Sequence, residues 1–137
     1  MKKLLLLLFS LILSLNSYGE KVLYCQDELA QGIAYKNGIW QKANFGLQRH
    51  TLKFNDDYSS IKGLIKAYKN EPSECNSAIG SGNEKFIVCN DRFNMGRSFR
   101  YNKDNKRYIF VKSQLFGYLD GSGDDNDWIA AGTCVDF

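Results

Sequence analysis

The chain has 137 residues, with 18 Lys and Arg against 15 Asp and Glu, one His, four Cys and a net charge of +3. This balance gives no global electrostatic argument for a nucleic acid or other polyanion, and a single histidine leaves little for a zinc centre or a general base. The length suits one domain.

Lys2 and Lys3, the apolar run from Leu4 to Leu15 and the tail Asn16-Ser17-Tyr18-Gly19 read as an export signal, with small residues where a signal peptidase needs them. An apolar core of about a dozen residues falls short of the roughly 20 that span a bilayer, so cleavage before Glu20 is expected rather than anchoring. The expected division is a signal peptide, 1–19, and a single β-barrel-like domain, 20–137, which is secreted or periplasmic and has no membrane span. Loss of Lys2 and Lys3 lowers the net charge to +1.

In chain order, Val22-Leu23-Tyr24-Cys25 is a short β-prone run. After a polar interval, Ile33 to Lys36 leads into Asn37-Gly38 and then Ile39 to Phe45. Asn-Gly between two such runs is a strong type I′ hairpin signal, and it sets Lys36 opposite Ile39 and Tyr35 opposite Trp40. Gln48 to Phe54 alternates as a strand. Residues 58–69 fit either period: Ile61, Leu64, Ile65 and Tyr68 lie at helical spacing, while Ile61, Gly63, Ile65 and Ala67 share one strand face. Gly63 and the preceding Asn55-Asp56-Asp57 turn favour a strand.

Residues 70–84, with Pro72, Cys75 and Gly80-Ser81-Gly82-Asn83, read as the longest loop. Phe86 to Cys89 is a strand apolar on both faces. Arg97 to Tyr101 and Arg107 to Lys112 flank a hairpin loop, Asn102 to Lys106. Gln114 to Leu119 is a further candidate strand, Asp120 to Asp127 is a loop, and Trp128 to Phe137 closes the chain with Trp128, Ala130, Gly132 and Cys134 on one face. About seven to nine short strands with at most one short helix predict an all-β fold, a small antiparallel meander barrel whose closure removes sheet edges.

Four cysteines in an oxidising context, with no close pair, predict two disulfides. Three connectivities are open. Cys25–Cys134 with Cys75–Cys89 is favoured because it ties the first strand to the last and spans a local excursion.

Candidate binding residues lie in the basic and aromatic stretch from Arg92 to Lys112. Arg97, Arg100 and Arg107 could meet anionic groups while Tyr101 and Tyr108 stack on rings. An exported chain is not expected to meet nucleic acid, so a sugar polymer, acidic headgroup or acidic protein suits this stretch better. Asp120, Ser122 and Asp124 have the alternate oxygen spacing that opens a calcium loop, but Asp125 and Ala131 stand where that loop needs glycine and a bidentate glutamate. No cofactor is implied. His50, beside Arg49 on an alternating stretch, would have to serve any Ser-His-Asp site, and catalysis is not favoured.

Gly38-Ile39-Trp40 resembles the Gly-x-Trp signature of lipocalins and other calycin barrels, which implies a secreted cup for a small apolar ligand. The export leader, small barrel and Ser81-Gly82 on the 70–84 loop also resemble periplasmic lysozyme inhibitors, which insert a Ser-Gly loop into the lysozyme cleft. The expectation is a non-catalytic binding module for a small molecule or envelope component. The alternatives are a protein–protein module that uses the 70–84 loop and, less favoured, a hydrolase.

Overall fold

The computed structural model describes residues 19–64, 72–91, 96–113, 117–123 and 125–137. Their strands are β1 (Lys21–Lys36), β2 (Ile39–Asn44), β3 (Arg49–Phe54), β4 (Ser60–Lys62), β5 (Ser73–Ile79), β6 (Lys85–Asn90), β7 (Arg97–Asn102), β8 (Arg107–Lys112) and β9 (Asp127–Asp136). All pairings are antiparallel, and β1 also pairs with β9. This closes β1 and β3 to β9 into an eight-stranded barrel, with β2 added outside the ring.

The extra strand follows from the length of β1. Its first part pairs with β3, Lys21 to Gln26 against Phe54 to Arg49, while its last part pairs with β2 through Asn37-Gly38. Both turn residues have positive φ, 53° and 81°, and the register is the expected one: Lys36 faces Ile39 and Tyr35 faces Trp40. The β1–β2 hairpin therefore runs on past β3, with β1 still paired with β9 as far as Ile33, and near its tip the Tyr118 ring meets Trp40 edge-on at 5.3 Å. Trp40 is half-buried there, outside the main core.

The core is aromatic. Phe54, Phe99, Tyr101 and Tyr108 stack inside the barrel with Leu23, Leu52, Ile61 and Ile87. Burying each large side chain contributes about 1.5–3 kcal/mol, and together they fill the interior instead of leaving a cup. Both disulfides join residues directly opposite on neighbouring strands, Cys25–Cys134 across β1–β9 and Cys75–Cys89 across β5–β6. These are the expected pairs.

Three expectations need correction, and a fourth, the strand favoured within residues 58–69, is met over three residues. Val22 to Cys25 and Ile33 to Lys36 are not separate runs but parts of one 16-residue strand, carried through its polar middle by a bulge between Asp27 and Leu29. The expected 70–84 loop contains a strand, Ser73–Ile79, of which Glu74 to Ile79 pair with β6, so cross-strand pairing and the disulfide override its polar composition. Strand is found at Ser60–Lys62, but Gly63 takes a φ of 89° and ends it; residues 65–69 lie outside the described set. The candidate strand at 114–119 is a turn where described, over 117–119, and its first three residues lie outside the described set.

Candidate functional site

Alternation on the last three strands brings the relevant side chains to one end of the barrel. Arg97 pairs with Lys112, and Lys112 with Trp128, each at the same parity as the core residues Phe99, Phe110 and Ala130. Arg97, Lys112 and Trp128 thus form an inward-facing row above the core, at the barrel mouth. Opposite them on β3, His50 is paired with Cys25 and faces the same interior. The His50 ring stacks on Phe110 at 6.0 Å, Phe110 meets Trp128 at 5.1 Å, and Trp128 meets Phe45 at 6.2 Å. His50, Phe110 and Trp128 floor a depression of about 530 Å³ whose described lining includes Arg49, Thr51, Gly63 and Leu64. A smaller depression of about 260 Å³, beside Phe45, Gly46 and Leu47, shares Gln48 and Trp128 with it.

Beneath the floor lies Asp27, a carboxylate only 1% exposed. It accepts the Gln48 backbone N–H at 2.9 Å, the Tyr108 hydroxyl donates to it, and His50 Nε2 lies 3.3 Å from its Oδ1. A buried carboxylate is tolerated when donors surround it in this way. Asp27 faces inward in step with Leu23 and Cys25, and the bulge after it moves the inward parity to Ala30 and Ala34. Gly132, paired with both Tyr108 and Asp27, has the Gln26 and Asp27 backbone where a Cβ would sit, so β1 and β9 approach closely beside the carboxylate. Burial and donation to Asp27 raise the Tyr108 pKa far above its ordinary value.

Asp27 is the residue that sequence reasoning missed. The signal was its parity with Leu23 and Cys25, hidden because the polar interval read as a break. His50 and Asp27 do form a His–carboxylate pair. Among the described lining residues the only hydroxyl beside it is that of Thr51, which stands on the opposite face of β3 by alternation.

The proposed basic and aromatic surface is divided. Arg97 faces the mouth. Arg100 and Arg107 are exposed on the outer wall, and Tyr101 and Tyr108, expected to stack on ligands, are buried core residues at 1% and 2% exposure. Their inward parity, shared with Phe99 and Phe110, is the reason. Lys103 lies over the Tyr58 ring at 4.7 Å, and Lys106 pairs with Asp136 at 2.6 Å. Arg92 lies outside the described residues. Lys112 bonds Asp125, so the acidic loop and a basic strand meet as an internal pair.

Asp120 Oδ1 accepts the N–H groups of Gly117 at 2.7 Å and Ser122 at 3.0 Å, and these bonds hold its carboxyl below the usual range. Its part is to shape a turn. Asp124 lies outside the described residues, and no group of three metal-ligand side chains gathers among those described. Ser81 and Gly82 sit at the far end from the mouth, on the exposed tip of the β5–β6 hairpin, where Gly82 N–H donates to Glu84 at 3.0 Å. No helix among the described residues is long and apolar enough to cross a membrane. Comparison with protein-family models, with curated proteins and with solved structures finds no match to this chain.

Proposed function

We propose that this protein is an exported, disulfide-bonded binding domain whose ligand is a small anionic molecule with a flat or ring-shaped part, seated in the barrel mouth. The observation that carries this reading is the mouth itself: a depression of about 530 Å³ with His50, Phe110 and Trp128 as an aromatic floor beside Arg97 and the Asp125-paired Lys112, with the outward-facing Arg49 at its edge. Rings offer stacking surface, guanidiniums recognise planar anions, and a few hundred cubic ångströms suits a small ligand. Two disulfides are compatible with the periplasm or the cell exterior, which the leader at 1–19 also favours.

The chain has two tryptophans, so the test can separate them. Titration of aromatic carboxylates and organic phosphates should quench fluorescence in Trp40→Phe but not in Trp128→Phe, and Arg97→Gln should weaken binding about ten-fold. Native mass spectrometry of protein from its own cells should show a retained small molecule. If no mass is retained and Trp128 is blind to every anion, the reading fails.

One observation favours a second reading, a protein–protein module. The β5–β6 hairpin tip is exposed on both faces over 76–79, with Ile79 75% exposed, and β4 pairs only with Ser73 and Glu74 of β5. A partner strand added along 76–79 would be the form of that interaction.

A further inference from the structure

The outer wall carries a second feature, independent of the mouth. Ile109 is paired with Arg100 on one side and Ala131 on the other, and Ala131 with Leu29 on β1, so these residues form one outward row. Val111 and Ile129 continue the apolar surface in the next row. Leu29, Ile109 and Ile129 are 51%, 40% and 44% exposed.

Where this surface meets β6 and β7 there is a groove of about 500 Å³, lined by Phe86, Arg100, Asn102, Asn105, Arg107 and Ile109 among others. Arg100 and Arg107 are diagonal neighbours on one face, about 7–8 Å apart at their side-chain bases. Neither guanidinium joins an ion pair or side-chain hydrogen bond among the described residues. Asn102 Oδ1 accepts the N–H groups of Asp104 at 2.9 Å and Asn105 at 3.3 Å, and Asn105 Oδ1 accepts that of Arg107 at 3.0 Å, which leaves both amide NH₂ groups to donate. The one carboxylate among the described lining residues, Glu28, accepts the Thr133 hydroxyl at 3.1 Å.

We infer that this face docks on an anionic phospholipid surface, with a lipid phosphate held between Arg100 and Arg107 and the Leu29–Ile109–Ile129 patch entered into the interface. The groove is rich in donors and poor in acceptors, as a phosphate with several oxygens requires, and the adjoining surface is apolar, as acyl chains require. A second copy is the weaker occupant, because a two-fold contact through this face would bring its own arginines together.

The test is cosedimentation with vesicles. Wild type and Arg100→Gln/Arg107→Gln carry the same N-terminus, so only the groove differs. Wild type should bind phosphatidylglycerol vesicles and not phosphatidylcholine vesicles. The double variant should lose roughly thirty-fold in affinity, added salt should weaken wild type alone, and Leu29→Ser/Ile109→Ser should also bind less. Thermal unfolding like that of wild type shows that the variants are folded. Equal binding to both vesicle types, or an unchanged double variant, overturns the proposal. So does binding that soluble glycerol phosphate displaces at millimolar concentration, which assigns the groove to a free phosphate. Tighter binding to polyglutamate than to vesicles assigns it to an acidic protein. Because Trp128 and Arg97 are untouched, mouth binding can fail while this docking holds, and the reverse.

Discussion

Tyr101 and Tyr108 stand directly opposite each other across β7 and β8, both buried, yet only Tyr108 has an acceptor for its hydroxyl. That acceptor is Asp27, 81 positions earlier in the chain. The Tyr101 hydroxyl is buried with no well-formed hydrogen bond. One chemical change should therefore have two outcomes. Tyr108→Phe withdraws a donor from a buried carboxylate and should destabilise by about 1.5–3 kcal/mol, whereas Tyr101→Phe should be neutral or stabilise by up to about 1 kcal/mol. Urea unfolding midpoints check this, and a Tyr101 variant as damaged as its neighbour contradicts it.

The same pair should govern alkaline stability. Burial raises the Tyr108 pKa well above 10.0, reinforced by donation to Asp27 and by its negative charge. Burial raises Tyr101 too, opposed by the Lys106 ammonium. The contribution is complete below the unfolded value near 10.0 and is lost as pH climbs from there, because the unfolded chain sheds phenolic protons that the folded protein keeps. Each retained proton steepens the decline by about 1.4 kcal/mol per pH unit. Unfolding midpoints followed between about pH 8 and about pH 12 should fall less steeply in Tyr108→Phe than in wild type. An identical slope would contradict the assignment.

Alternation and turn chemistry made most of the barrel legible. Asn37-Gly38 gave the first hairpin in register, and the parity of Trp128, Ala130, Gly132 and Cys134 gave the inner face of the last strand. The disulfide pairing followed from which strands open and close the barrel. Illegible parts were those where long-range pairing outweighs local preference. Ser73-Glu74-Cys75-Asn76-Ser77 has weak strand propensity and becomes a strand because β6 pairs with it. The bulge at Asp27 shifts the inward parity from Leu23 and Cys25 to Ala30 and Ala34, and a one-residue shift defeats any reading that assumes a fixed period. Of the mouth, Arg97 could be named from composition. Asp27 and Trp128 could not, because their roles depend on which strands meet.

Gly132 should be far more sensitive to substitution than Gly38. A Cβ at Gly132 would lie 2.0 Å from the Gln26 carbonyl oxygen and 2.9 Å from the Asp27 Cα, both backbone atoms of the strand that closes the barrel. Neither can yield without breaking the β1–β9 pairing. At Gly38 the same Cβ would meet open space, and only its positive φ of 81° opposes the change. Gly38→Ala should cost about 1 kcal/mol, and Gly132→Ala at least about 3 kcal/mol or folding itself. The comparison is read from soluble yield and unfolding midpoint, and similar losses at both sites would count against the close approach.

The two disulfides should differ in worth although their local settings are alike. All four cysteines are at most 6% exposed, and each bond joins directly opposite residues, so Cys25→Ala/Cys134→Ala and Cys75→Ala/Cys89→Ala remove the same atoms from similar surroundings. Packing losses therefore largely cancel between the variants, and the size of the closed loop remains. The bonds span 109 and 14 positions, and chain entropy ranks the longer closure above the shorter by roughly 2 kcal/mol. Geometry works in the same direction: Cys25–Cys134 fixes the β1–β9 pairing that closes the ring, whereas Cys75–Cys89 lies between strands already joined by a short turn. Denaturant unfolding should show the first variant to be the weaker. A greater loss in the second would mean that the β5–β6 hairpin, not the closing pair, limits the stability of the barrel.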